Sequence, residues 1–260
     1  MILLPLFLFQ SAVPASDGSF PTIDEVQFSE CIKQAEIDAP SGVAQASEWT
    51  QKGGGYLARA CHGYALATDF KFDLAIPLLS EAALGAEAKK DGRAARFWAQ
   101  AGNAAIAIGE LDVALNALDK ARATASLSPS ERADIEIDRA RTLVGLNRNR
   151  EAEAALTTAR GLAPENGTAW LLSATLARRE NKLPDALAFI QTAASLSPRD
   201  PAVALEAGNI AIAAGDEASA RKQWEQVIAI APKSRQADSA RAQLAALGSS
   251  TAPPKDGQSR

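Results

Sequence analysis

The chain has 260 residues, enough for one or two ordinary domains or for one continuous array of repeats. A formal charge of -4 and a pI near 5.2, with no long run of Lys or Arg, exclude the basic face that a nucleic-acid module turns toward phosphates. With 47% hydrophobic residues but only 5% aromatic, the composition suits helices joined along alanine-rich seams better than a core filled with rings.

The chain opens on an uncharged apolar run, Ile2 to Phe9, followed by Val13-Pro14-Ala15. This is the pattern of a secretory signal over residues 1–15, cleaved after Ala15. The run falls far short of the roughly 20 apolar residues that cross a bilayer, so it predicts a periplasmic or secreted protein with no stable membrane span. No Lys or Arg precedes the run, and the alternative is a cytoplasmic protein whose apolar arm packs on its first helices. Phe28-Ser29-Glu30 before Cys31 lacks the small residues of a lipid-anchor signal.

Residues 16–55 predict an N-terminal helical cap. Thr22 and Glu25 form a capping box for a helix bearing Val26, Phe28, Cys31, Ile32 and Ala35 ahead of Pro40. A second helix from Ser41 to Lys52 sets Val43, Ala46 and Trp49 on one face and ends at Gly53-Gly54-Gly55. These glycines lack the Lys-Ser/Thr of a phosphate loop and follow no strand, so they read as a turn. Cys31 and Cys61 lie in elements that would pack together. Bridged, they would close a loop of about 31 residues and stabilise by roughly 3 to 4 kcal/mol; unbridged, they would serve as small buried hydrophobes. His62 is the one histidine. Side chains adjacent on a helix diverge by about 100°, so Cys61 and His62 cannot converge on one substrate atom or metal.

From Tyr56 onward a small residue is followed twelve places later by alanine, five times: Gly63 and Ala75, Gly102 and Ala114, Ala140 and Ala152, Ala174 and Ala186, Gly208 and Ala220. Such pairs predict close crossings of antiparallel helices, and the later ones recur at 34 residues. Gly109, Asn147, Asn181 and Gly215 stand between the two helices of their units, where a left-handed residue is needed. Pro164, Pro198 and Pro232 close the last three units. Ser128, Pro129 and Glu131 make a helix start within a short insertion, and Asp200-Pro201 makes another. The unit from Tyr56 lacks both the closing proline and the Gly or Asn break.

These residues resemble the tetratricopeptide-repeat family, whose motif runs W-x2-L-G-x2-Y, then A-x3-F, then P. Trp98, Gly102, Ala114 and Leu118 fit it, as do Trp170, Ala174, Ala186, Ile190 and Pro198, and Gly208, Ala220, Trp224 and Pro232. The resemblance implies an all-α, right-handed superhelical solenoid of about five antiparallel helix pairs, 56–89, 95–128, 133–166, 167–200 and 201–234. Residues 235–248 then predict a capping helix, and residues 249–260 a disordered tail.

The resemblance further implies a protein or peptide partner held along the inner wall that the first helix of each pair builds. Carried across by motif position, that wall comprises Tyr64, then Arg96, Gln100 and Asn103, then Asp134, Asp138 and Arg141, then Thr175, Arg178 and Arg179, then Glu206 and Asn209. Asp138 and Arg141, three apart, have the alternative of pairing with one another. The Lys-Asn, Asn, Lys-Arg arrangement with which some relatives grip chaperone carboxylates is absent. No acid, base, metal or cofactor constellation converges, so the expected protein is a non-enzymatic scaffold with no cofactor and no metal. Its alternatives are an assembly subunit of an envelope or secretion complex and a cytosolic regulator.

Overall fold

A computed structural model describes residues 22–124 and 127–250; the apolar run, the cleavage pattern and most of the expected tail lie outside them. Among the described residues every regular element is a helix. In order these are α1 (Ile23–Ile37), α2 (Ala39–Gln51), α3 (Gly55–Thr68), α4 (Phe72–Ala88), α5 (Ala94–Ile108), α6 (Leu111–Ala123) and α7 (Pro129–Gly145), then α8 (Asn149–Leu162), α9 (Gly167–Arg179), α10 (Leu183–Leu196), α11 (Pro201–Ala213), α12 (Glu217–Ile230) and α13 (Arg235–Ser250). The fold is the all-α stack of antiparallel pairs that the repeats imply. Two compact units divide it, Met1–Ala152 and Glu153–Arg260, with the boundary inside α8.

In the first unit, polar side chains start α1 and α7. Thr22 and Glu25 exchange hydrogen bonds of 3.2 and 2.9 Å across the first turn of α1. Ser128 and Glu131 do the same at α7. Helix α2 starts at Ala39 with Pro40 in its first turn, where the missing N–H costs nothing because that donor has no intrahelical partner. Phe28 of α1 meets Phe97 of α5 edge-on at 6.1 Å, and Cys31 is bridged to Cys61 with the Cα atoms 6.2 Å apart.

The crossings need three residues rather than two. A Cβ on Gly102 would lie 2.7 Å from Leu118 Cγ, and one on Gly208 would lie 2.5 Å from Trp224 Cδ1. The small residue therefore makes room for a large side chain sixteen places on, while the alanine twelve places on is fully buried at Ala75, Ala114, Ala152, Ala186 and Ala220. Filling such a site would force overpacking, typically about 1 to 3 kcal/mol.

Left-handed residues separate the paired helices at Gly109 (φ 81°), Asn147 (60°), Asn181 (58°) and Gly215 (81°). The first pair makes the same turn without Gly or Asn, because Phe70 itself adopts φ 59°. A side chain there costs about 1 to 2 kcal/mol. The Phe70 ring stays 65% exposed, against the edge of Phe72 at 6.1 Å.

Between the first and second pairs, where the closing proline is missing, a polar clamp holds the connection. Tyr56 donates to Asp91 at 2.5 Å, and Arg93 donates to Asp91 at 2.9 Å and to Glu25 at 3.2 Å. Burial by itself would raise the Asp91 carboxyl, but the bonds from Arg93 and Tyr56 outweigh it and hold the group below its usual range. Burial, then Asp91, push the Tyr56 hydroxyl up to about 12.

In the second unit Asn166 and Asp200 cap α9 and α11 through bonds of 3.1 and 2.8 Å. One core cluster gathers Ala174, Ile190, Val203 and Ile210. Another packs Trp224 and Val227 with Ala237, Ala240 and Leu247, so that α13 covers the apolar side of the last pair. Burying Trp224 and Val227 contributes about 1.5 to 3 kcal/mol for each such side chain.

Candidate functional site

The first helices of the pairs carry the expected polar residues, and the structure binds half of them to one another. In the first unit Arg96 of α5 donates to Glu131 of α7 at 2.7 Å, a bridge between neighbouring first helices. Burial works to raise Glu131, yet the bonds from Ser128 and from Arg96 keep its carboxyl low. Asp138 and Arg141 pair at 2.7 Å along α7, the alternative that their spacing allows. Asp138 is only 4% exposed, and burial pushes its carboxyl up against the pull of Arg141 and of the Asn103 amide. The other end of that amide, Asn103 Oδ1, is buried with no hydrogen-bond partner. Gln100 and Asp134 lie half-buried on the same two helices.

Tyr64 departs from the expected lining. It is buried, and its hydroxyl donates to Glu36 of α1 at 3.2 Å, because α1 packs on α3 and covers that position. Burial and the Glu36 charge push the hydroxyl up to about 12. The motif position is unchanged, but a helix outside the repeats occupies the surface it would line.

In the second unit Arg178 of α9 forks onto Glu206 of α11, with distances of 2.6 and 3.3 Å. Asn209 donates to the same carboxylate at 3.4 Å. Thr175 donates its hydroxyl to Leu171 O at 3.1 Å, and Arg179 is exposed. A guanidinium holding both carboxylate oxygens fixes geometry as well as charge. The bridges Arg96–Glu131 and Arg178–Glu206 escaped the sequence reading, in which Glu131 was only a cap. The available signal was separation, since residues 28 and 35 apart, within about two helical turns of the repeat period, fall on neighbouring first helices.

The remaining chemistry-bearing residues do not assemble. Cys61 is consumed in the disulfide, so no thiolate stands beside His62. Burial lowers the His62 pKa, and its Nδ1 has no partner. Among the described residues no group of His, Cys, Asp or Glu could hold a metal ion. No helix among them is long and apolar enough to cross a membrane.

Helix pairs repeating at about 34 residues, with small residues at the crossings and polar first-helix faces, define a class of repeat proteins. Models of the tetratricopeptide repeat match residues 137–201 and 177–244. Residues 137–244 therefore carry tetratricopeptide repeats. No curated protein matches the sequence. Among solved structures it is similar to PilW, a type IV pilus biogenesis factor, at 16% identity and TM-score 0.70, over 85% of this chain and 99% of that one. PilF of Pseudomonas aeruginosa is similar at 15% identity and TM-score 0.66, again over 85% and 99%. YrrB, described as having an unusual peptide-binding site, is similar at 18% identity and TM-score 0.53, over 83% of this chain and 97% of that one. Likeness at these identities shows the fold alone.

Proposed function

We propose that this chain is a non-enzymatic scaffold that binds a protein or peptide segment on the polar faces of its first helices, with one patch in each unit. The observation that carries the reading is the cross-helix bridging by Arg96–Glu131 and Arg178–Glu206, which fixes long side chains in place before a partner arrives. Preorganised polar groups lose less side-chain entropy on binding, so modest contacts can add up to useful affinity. In the first unit Arg96, Gln100, Asn103, Asp134, Asp138 and Arg141 form the patch; in the second, Thr175, Arg178, Arg179, Glu206 and Asn209 do. Tyr64 drops out of the proposed contact set.

A place in the bacterial cell envelope, periplasmic or secreted, is the companion proposal. The apolar run at Ile2 to Phe9, the Cys31–Cys61 bridge and the fold shared with PilF and PilW all favour it over a cytosolic regulator. That shared fold with a pilus biogenesis factor also favours, as a second reading, a subunit of an envelope assembly. Light scattering on the purified chain separates the two, since self-association would support the assembly role.

A photoreactive residue at position 103 or 178 tests the binding surface. The same partner should be captured from both positions and not from Asn116 of α6 or Gln191 of α10, which are exposed on second helices. Equal capture from all four positions would count against the first-helix faces.

A further inference from the structure

The second unit contains a small open recess of about 20 Å³ between α8, α9 and α10. It is lined by Arg160, Ser173, Phe189 and Lys182 among others, and by none of the residues of the polar patch at Arg178 and Glu206. The Arg160 guanidinium sits over the Phe189 ring at 4.5 Å and the Trp170 ring at 5.2 Å. It donates to the Ser173 hydroxyl and, at 3.2 Å, to Thr157 Oγ1. Ser173 is 4% exposed and donates in turn to Ala169 O at 2.7 Å, so the hydroxyl that holds the guanidinium is itself fixed. Burial lowers the Arg160 pKa, and no carboxylate among the described residues forms an ion pair with it.

The chain builds the same arginine once before. Arg122 stands eight residues after the crossing alanine Ala114, as Arg160 stands eight after Ala152. Arg122 has a counter-ion, Glu136, at 3.4 Å, and Glu136 occupies the place in its helix that Trp170 occupies one period later. With Trp170 there instead, Arg160 keeps its charge and its fixed orientation but has no hydrogen-bonded acid, only the nearby charge of Glu153. A guanidinium with two of five N–H donors engaged retains a fork suited to a planar, bidentate acceptor.

We propose that the Arg160 recess is a binding site for an Asp or Glu side chain of a partner peptide, the carboxylate pairing with the guanidinium as Glu136 pairs with Arg122. Its enclosed volume is far below the roughly 300 Å³ at which small-molecule pockets begin, so only the tip of one side chain enters. Its rim selects among anions. Glu153, Glu180 and Asp185 are three carboxylates against the two cations Arg160 and Lys182, and Lys182 is engaged by Glu153 at 3.0 Å and Glu180 at 2.9 Å. That surplus of negative charge opposes a dianionic phosphate more than a monovalent carboxylate, and it favours a peptide whose residues beside that carboxylate are basic. The site shares α9 with the first-helix patch but none of that patch's residues, so the two readings are tested separately.

The test uses the full chain and the blocked peptide acetyl-Lys-Glu-Lys-amide, titrated to about 10 mM while the Arg160 Nε–H and Trp170 indole N–H resonances are followed. Both should shift and saturate. Acetyl-Lys-Gln-Lys-amide and the phosphoserine analogue should bind at least tenfold more weakly. Arg160→Gln should weaken the Glu peptide at least tenfold, read at Trp170, while Arg122→Gln leaves its binding unchanged. Absence of saturable shifts in the wild-type chain, equal binding of the Gln peptide, or tighter binding of the phosphoserine peptide would each overturn the proposal, and none of these three comparisons needs a variant to fold.

Discussion

The pair α3–α4 departs furthest from the repeat pattern, and it is also the most heavily tied. It lacks the closing proline, turns through Phe70 at φ 59° and carries Pro77 inside α4, yet Cys61 is bridged to Cys31 and Tyr56 is clamped to Asp91. The pair α11–α12 follows the pattern, turns through Gly215, and is held by Trp224 seated over Gly208 and by the cover of α13. The difference teaches that a repeat can lose its turn and closing residues where covalent and ionic ties to flanking helices hold it, while the close crossing of Gly63 against Leu79 is kept. In a quasi-linear array each pair needs only its neighbours, so such local compensation suffices.

The largest test of that contrast is removal of the disulfide. Cys31→Ser with Cys61→Ser should destabilise the first unit by about 3 to 4 kcal/mol, from the loop of thirty residues that the bridge closes. Amide hydrogen exchange should speed up across α1 to α4 and stay unchanged in α11 to α13. Equal acceleration in both regions would erase the distinction.

A smaller effect should come from the turns. Phe70→Gly relieves a left-handed backbone and should stabilise the chain by about 1 kcal/mol, whereas Gly215→Ala should destabilise it by a similar amount. Urea unfolding checks both signs. A loss of stability in Phe70→Gly would mean that the exposed ring contributes more through Phe72 than the backbone costs.

The smallest effect is in pH and belongs to the first unit alone, since His62 is the chain's one histidine. Burial lowers its pKa in the folded state, so below the usual value of 6.5 the unfolded chain binds the proton more readily. Its contribution is therefore intact above that pH and declines as pH falls toward the folded value. The urea midpoint should drop between about pH 7 and 5.5, and His62→Gln should flatten the drop. An identical slope in the variant would show that His62 is solvated in the native state.

Much of this fold is legible in the chain because its periodic features are local. Ser128 with Glu131 and Asp200 with Pro201 mark helix starts through bonds spanning two or three residues. Gly109 and Gly215 mark turns through the dihedral freedom of one residue. Phe70 hid its turn, because neighbouring helices impose that conformation against the residue's own preference. The candidate site was legible as a set of positions but not as a set of partners. Arg178 and Glu206 lie 28 residues apart, and Glu36 captures Tyr64 over the same separation.

The sequence by itself determined the repeat period, the helix boundaries set by caps and breakers, and the small residues that demand close crossings. Each of these follows from short-range sterics and hydrogen bonding, which are written in neighbouring residues. Only the tertiary structure decided that α1 covers Tyr64, that Arg96 and Arg178 are bound to Glu131 and Glu206, and that Arg160 meets two rings instead of an acid. Those outcomes depend on which side chains distant helices bring within a few ångströms, where burial and charge set the balance and no periodicity records it.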